Sequence, residues 1–138
     1  MSHFTKIKTK LSDRTTIEKS LSDLNIQWES ETTKVRGYKG QQHEAEIIIR
    51  QKNNHDIGFA WTGKEYELVT DLMFWDQKYS VNNFLNQLNQ RYAFNLITKV
   101  SEEQRFQYVG AETQQDGSIR LVLRKFAKVM ILVIKTLN

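Results

Sequence analysis

A chain of 138 residues is long enough for one domain with a hydrophobic core of its own. It has no cysteine, which excludes disulfides, a thiol nucleophile and cysteine-ligated metals. The formal net charge of +4 is only modestly basic, so composition alone does not require strong binding to nucleic acid.

The N-terminus has neither an apolar segment nor an arginine-rich amphipathic leader, so we expect no cleaved presequence. The apolar stretches all fall well short of the roughly 18 residues that indicate a membrane span. The longest, V-M-I-L-V-I at 129–134, has the length of a strand. The sequence therefore predicts no membrane span.

The first predicted elements are a strand and a helix. Residues 4–11 alternate in polarity, with Ile7 and Leu11 on one face. The other face carries lysines, namely Lys6, Lys8 and Lys10. Such a row suits either a protected sheet edge or a line of anionic groups such as phosphates. A helix capped by Ser12 or Asp13 should follow, because apolar residues then recur at spacings of four and three.

The next part of the chain alternates between polar and apolar runs. We predict a short strand at 26–28, a twisted hairpin or loop over the polar run 29–42, and a strand in the apolar run 45–49. The runs 57–61 and 66–69 flank T-G-K-E and alternate with a period of two. This pattern predicts an amphipathic β hairpin.

Four large apolar residues at 72–75 follow the hairpin and break its alternation, so we expect the chain to turn under the sheet there and meet a helix. A helix should begin after Ser80, because apolar residues then recur at helical spacing. These residues are Val81, Phe84, Leu85, Leu88 and Tyr92. Asp-Gly at 116–117 then predicts a second hairpin between the β-prone segments 106–111 and 118–126.

The order of elements predicts an α+β fold, with a mainly antiparallel sheet and two main helices packed on one face. Residues 1–126 should form a single domain, and residues 127–138 an apolar C-terminal extension. Within the extension, 129–134 has high β propensity and no charge, so it must be paired or covered. Because the second hairpin already supplies a last strand, we expect an intermolecular contact or a docked C-terminal helix rather than a further strand.

The sequence motifs that could indicate phosphate binding, metal binding or acid–base catalysis are weak. G-F-A-W-T-G-K at 58–64 has the spacing of a phosphate-binding loop, but Glu65 follows where a magnesium-binding Ser or Thr is needed. The histidines, His3, His43 and His55, have no metal-site spacing. Carboxylates around 65–76 are more simply a solvated hairpin edge than an acid–base pair. We therefore predict no catalytic residue, no metal and no cofactor.

Charge is distributed unevenly along the chain. Residues 56–76 carry one basic and five acidic side chains, whereas residues 117–138 carry five basic and no acidic ones. The two segments can complement each other within one fold, or they can face two different partners.

Four sequence blocks together resemble one known family. They are M-S-H-F-T-K-I-K-T at the start, D-I-G-F-A-W-T-G-K-E-Y-E-L-V-T-D-L-x-F-W in the middle, Q-R-Y-A-F after it and D-G-S-I-R-L-V-L-R near the end. The family is called hypothetical chloroplast open reading frame thirty-five, a domain of unknown function encoded in algal plastid genomes and in cyanobacteria. The resemblance covers about residues 1–126 and implies the plastid stroma, or a cyanobacterial cytoplasm, as the setting. It implies no catalytic residue.

Two hypotheses for function follow, and the oligomeric state stays open. The first is a non-enzymatic module that binds another protein, since aromatic residues are enriched in the dry cores of interfaces. Its candidate surface is Phe59, Trp61, Tyr66, Phe74 and Trp75. The second is a domain that binds RNA or single-stranded nucleic acid, with phosphate contacts from basic side chains. Its candidate contacts are Lys6, Lys8, Lys10, Arg120 and Arg124.

Overall fold

The computed structural model describes residues 3–30 and 33–135. In these ranges the helices are α1 (Arg14–Asp23) and α2 (Val81–Glu103). The strands are β1 (Thr5–Lys8), β2 (Thr33–Arg36), β3 (Gln42–Ala45), β4 (Ile47–Ile49), β5 (Ile57–Trp61), β6 (Tyr66–Thr70), β7 (Gln107–Thr113), β8 (Ile119–Lys125) and β9 (Lys128–Ile134). Every strand pairing in the described ranges is antiparallel, which confirms the predicted α+β class.

The described chain divides into two compact units, Met1–Val81 and Asn82–Asn138. In the first unit, β1, β6, β5 and β4 form one sheet in that order. The cross-strand register places four apolar residues in one row on one face of this sheet. They are Ile7, Leu68, Phe59 and Ile47. The last three are fully buried, as are Ile17 and Leu21 of α1, so the predicted strand and helix periodicities did identify core positions.

The β2–β3 hairpin covers the opposite face of the same sheet. Val35 and Ala45 of the hairpin form a buried cluster with sheet residues, namely Ile48, Ala60 and Val69. The hairpin lies so close to β5 that a Cβ atom on Gly58 would sit 2.3 Å from Val35 Cγ2 and 2.9 Å from Ala45 Cβ. Glycine at this position therefore permits the close packing of hairpin on sheet.

Three expectations for the first unit are corrected. The predicted strand at 26–28 is irregular chain, and only Glu29 forms an isolated bridge, with Ile48. The predicted strand 45–49 is divided into β3 and β4 by a bend at Glu46. The expected burial of the apolar run 72–75 is wrong for Leu72 and Met73, which are exposed. The Asp71 carboxylate caps a short 3-10 turn there by accepting from Met73 N, and this turn leaves both side chains outside.

In the second unit, α2 packs on the sheet formed by β7, β8 and β9. The core of this unit contains Phe94 from α2, Leu121 and Leu123 from β8, and Ile134 from β9. Residues 128–134 thus form a further strand, so the expectation of a docked C-terminal helix in its place is wrong, while the expected intermolecular contact stays a prediction. The reason is that alternate side chains of a strand point to the same face, so Met130, Leu132 and Ile134 of β9 complete a core already begun by β8. The end of the predicted extension, residues 136–138, lies outside the described residues.

The close packing at Gly58 generates a stability prediction. Gly58→Ala should lower the free energy of unfolding by about 1–3 kcal/mol, because the added methyl group must displace Val35 or Ala45 in a filled core. Gly110→Ala in β7 is the matched control, since a Cβ atom there meets no atom within 4 Å. The control should stay within about 0.5 kcal/mol of wild type in urea unfolding. Equal stabilities for the two variants would contradict the described position of the hairpin.

Candidate interaction surfaces

A buried carboxylate joins strands of the first unit. Asp56 precedes β5, and its side chain is 0% exposed. Oδ2 accepts from Arg36 Nε at 2.8 Å and from Arg50 Nη1 at 2.7 Å, while Oδ1 accepts from Arg36 Nη2 at 2.9 Å and from the backbone N–H of Gln51 at 3.3 Å. Both oxygens are engaged by charged donors, so this carboxylate is suited to holding the β2 strand against the sheet and is poorly suited to proton transfer.

The strand register explains why these charges meet. Ile49, the last residue of β4, pairs with Ile57, the first residue of β5. Arg50, which follows Ile49, and Asp56, which precedes Ile57, therefore lie at the same end of the sheet. Burial alone raises the pKa of Asp56, but the hydrogen bonds from Arg36 and Arg50 outweigh it and hold that pKa below its usual value. The carboxylate correspondingly raises the pKa of Arg36.

A groove of about 660 Å³ lies beside this cluster, between the end of α1 and the edge of β4. Its lining includes Trp28, Glu29 and Arg50. Arg50 Nε lies 3.2 Å from a Glu29 carboxylate oxygen, and the Trp28 indole donates to the Ser22 hydroxyl at 2.8 Å. The polar groups of the groove therefore bond to one another, which leaves little that converges on a ligand.

The aromatic residues predicted as one interaction surface lie in different surroundings. Phe59 and Tyr66 are buried, whereas Trp61 is 43% exposed and its ring centroid lies 4.9 Å from that of Tyr66. Phe74 and Trp75 follow the far end of β6, where Phe74 stacks on His55 at 3.7 Å and the Trp75 indole donates to the Tyr79 carbonyl. The structure therefore brings Trp61 and Tyr66 together and places Phe74 and Trp75 apart from them.

The basic residues predicted to contact nucleic acid are also divided. Lys6, Lys8 and Lys10 are exposed, and β1 is an edge strand, but Lys8 pairs across the strands with Glu67. Arg120 and Arg124 belong to β8 of the second unit, and Arg120 Nη1 lies 3.7 Å from a Glu112 carboxylate oxygen.

The outer face of β9 lies in the segment for which the sequence predicted an intermolecular contact or a docked helix, but the sequence did not identify which of its residues face outward. Val129, Ile131 and Val133 of β9 are 60%, 51% and 49% exposed, although Leu132 and Ile134 between and after them turn inward. All six residues of V-M-I-L-V-I are apolar, so polarity gives no signal for this division, although only every second residue is used by the core. The β8–β9 turn carries a fourth exposed apolar side chain, Phe126, which is 93% exposed.

The register of this hairpin also fixes the direction of the β9 backbone groups. Lys125 pairs with Lys128 across a two-residue turn, so these two residues exchange hydrogen bonds and every second residue after Lys128 does the same with β8. The backbone N–H and C=O groups of Val129, Ile131 and Val133 consequently point away from β8. Among the described residues β9 pairs with β8 alone, so these groups face an open sheet edge.

Three further features of the described residues bear on metal binding, phosphate binding and membrane spanning. The described residues contain no group of three or more His, Asp or Glu side chains arranged to hold a metal ion. The segment 58–64 with phosphate-loop spacing is part of strand β5 and the following turn. Within the part of the chain that the structure describes, we find no helix with the length and apolar character needed to cross a membrane.

The importance of the Asp56 cluster can be tested by pH. Asp56→Asn should cost about 3 kcal/mol of unfolding free energy near neutral pH, because it removes the charge that pairs with both arginines. The folded-state pKa of Asp56 is lowered, so its contribution is present above the unfolded-state value of about 3.9 and is lost as the pH falls through the folded-state pKa.

The difference between wild type and Asp56→Asn should therefore narrow in acid, as measured by urea unfolding at neutral pH and at about pH 3. Asp76→Asn, at an exposed carboxylate of the same unit, is the control and should change little at either pH. A pH-independent difference for Asp56→Asn would show that charge pairing is not its contribution.

Comparison with known proteins gives a family. The family described as "Protein of unknown function (DUF1257)" matches residues 20–122. Relatives named "Uncharacterized protein ycf35" are 48% identical in Guillardia theta, 39% in Cyanophora paradoxa and 36% in Pyropia yezoensis, each over 126 residues. Each match covers 91% of this chain and 98% of the relative. No solved structure matches the chain.

Proposed function

The chain belongs to the ycf35 family of uncharacterised plastid proteins, and we propose that it is a non-enzymatic interaction or assembly module that binds another protein along the open edge of β9. The family gives the chain a plastid or cyanobacterial origin. The plastid stroma, or the cytoplasm of a cyanobacterium, is the compartment that we propose for it.

The observation that carries the proposal is the unequal protection of the sheet edges. Folded proteins guard exposed strand edges with charge, bulges or covering segments, because an open edge recruits other strands. In the first unit, β1 carries exposed lysines and the edge of β4 is covered by the bridge to Glu29. In the second unit, β7 is interrupted by a register shift between Tyr108 and Gly110.

The β9 edge has none of these protections. No charged residue lies between Lys128 and Lys135, and the β8–β9 register runs without interruption from Lys125–Lys128 to Ile119–Ile134. Three β-branched side chains stand exposed beside the open backbone groups. Backbone pairing would supply affinity and the apolar row would supply specificity, as in other interactions that add a strand to a sheet.

The nucleic-acid hypothesis has less support from the geometry. Base stacking needs an exposed aromatic ring beside phosphate-binding cations. Lys8 lies opposite Glu67 on one face of the first sheet. Trp61 and Tyr66 form the next pair along β5 and β6, so their side chains alternate onto the opposite face. The protein-binding function is therefore the one that we propose.

A charge placed on the open edge tests this function. Tagged wild type, Ile131→Lys and the control Gln115→Lys would be cross-linked in the native compartment, and the attached proteins identified by mass spectrometry. Both variants add the same charge to an exposed position of the second unit, but Gln115 lies in the turn between β7 and β8. Ile131→Lys should lose the cross-linked protein, and Gln115→Lys should keep it.

The same experiment can overturn the proposal. Retention of the same protein partners by Ile131→Lys would exclude the β9 edge as the binding surface. If the cross-linked proteins are no longer recovered after ribonuclease treatment, their attachment depends on RNA, and this result would favour the nucleic-acid hypothesis. Thermal melting of each variant provides the folding control, since Ile131 is outside the core and its replacement should lower the melting temperature little.

A further inference from the structure

We infer that the occupant of the β9 edge is a second copy of this chain, paired antiparallel about a two-fold axis at Ile131. This inference rests on the proposed function and names its partner. It would join β7-β8-β9 of one copy to β9-β8-β7 of the other in one continuous sheet.

The residues of the edge match themselves under a two-fold rotation. The outward-facing positions are Val129, Ile131 and Val133, and they read the same in both directions. Antiparallel pairing centred on Ile131 sets Ile131 opposite Ile131 of the copy and Val129 opposite Val133. An interface around a two-fold axis requires such self-complementarity, because each surface must serve as its own partner.

Only this register pairs all three outward-facing residues of one copy with outward-facing residues of the other. Moving the centre by one residue towards Lys128 leaves Val133 opposite Ala127, in the turn. Moving it by one residue the other way sets Val129 opposite Lys135 and leaves the valine methyl groups beside a charge. With the axis at Ile131, all three outward residues of each copy pair with one another, and their backbone donors and acceptors are satisfied.

The flanking charges are compatible with the same register. Lys128 falls opposite Ile134 of the copy, and Lys135 falls opposite Ala127, so no lysine directly faces another lysine. The segment 117–138 is nevertheless basic, with five cations and no carboxylate, so the two copies repel each other at long range. Added salt should strengthen the association by screening this repulsion, whereas it would weaken binding to an acidic partner.

Single cysteines can measure the register, because the chain has no cysteine of its own. Ile131→Cys would place two thiols across the axis at a Cα separation of about 5.5 Å, which a disulfide can span. Val129→Cys would lie opposite Val133→Cys, but roughly 13 Å from its own equivalent in the copy. Gln115→Cys, on an exposed turn, reports the rate of random collision.

The expected result is covalent dimer from Ile131→Cys under mild oxidation, formed at least about tenfold faster than from Gln115→Cys. A mixture of Val129→Cys and Val133→Cys should cross-link faster than either variant alone. Sedimentation of wild type should show a dimer that becomes tighter with salt, while Ile131→Lys stays monomeric and Gln115→Lys dimerises normally.

Each alternative outcome has a separate meaning. Cross-linking of Ile131→Cys no faster than that of Gln115→Cys, with a wild type that is monomeric at all concentrations, would overturn the second-copy inference. If wild type cross-links to a protein of different sequence in the native compartment and Ile131→Lys does not, the proposed function holds with that protein as the partner. If Val129→Cys cross-links to itself faster than to Val133→Cys, the register is wrong.

Discussion

The buried carboxylate of Asp56 is the interaction on which the first unit depends. It accepts charged donors from β2 and from the residue that follows β4, so it fixes where the β2–β3 hairpin ends relative to the sheet. With that end fixed, the hairpin can approach β5 closely enough to require Gly58, and Val35 and Ala45 complete the core on this face. The ion cluster at Asp56 and the close packing at Gly58 therefore both fix the position of the β2–β3 hairpin on the sheet.

The sequence predicted regular elements better than it predicted the hairpin. The period of two in β5 and β6 and the helical spacing after Ser80 follow from local side-chain directions, so they are visible in the sequence. The polar run 29–42 gave no comparable signal, because its packing depends on contacts between residues far apart in sequence. Asp56 bonds to Arg36 across twenty positions, and Gly58 is explained only by Val35 and Ala45.

The candidate surface was predicted in part, for a related reason. Aromatic composition directed attention to the central hairpin, but composition does not say which aromatic side chains the core uses, and Phe59 and Tyr66 are buried. In the tail, hydrophobicity indicated a segment that must be paired or covered, and the segment pairs with β8 as strand β9. It did not separate the residues that face inward from those that face outward, and that separation distinguishes the core from the open edge.

The apolar character of the outward row is not required by the fold. Met130, Leu132 and Ile134 supply the inner face of β9, and the strand would form equally well with threonine at the outer positions, since threonine has high β propensity and tolerates water. Three exposed β-branched residues on an unguarded edge carry an aggregation hazard that such a substitution would remove. Folding alone therefore does not account for Val129, Ile131 and Val133, whereas the proposed pairing with a partner strand would.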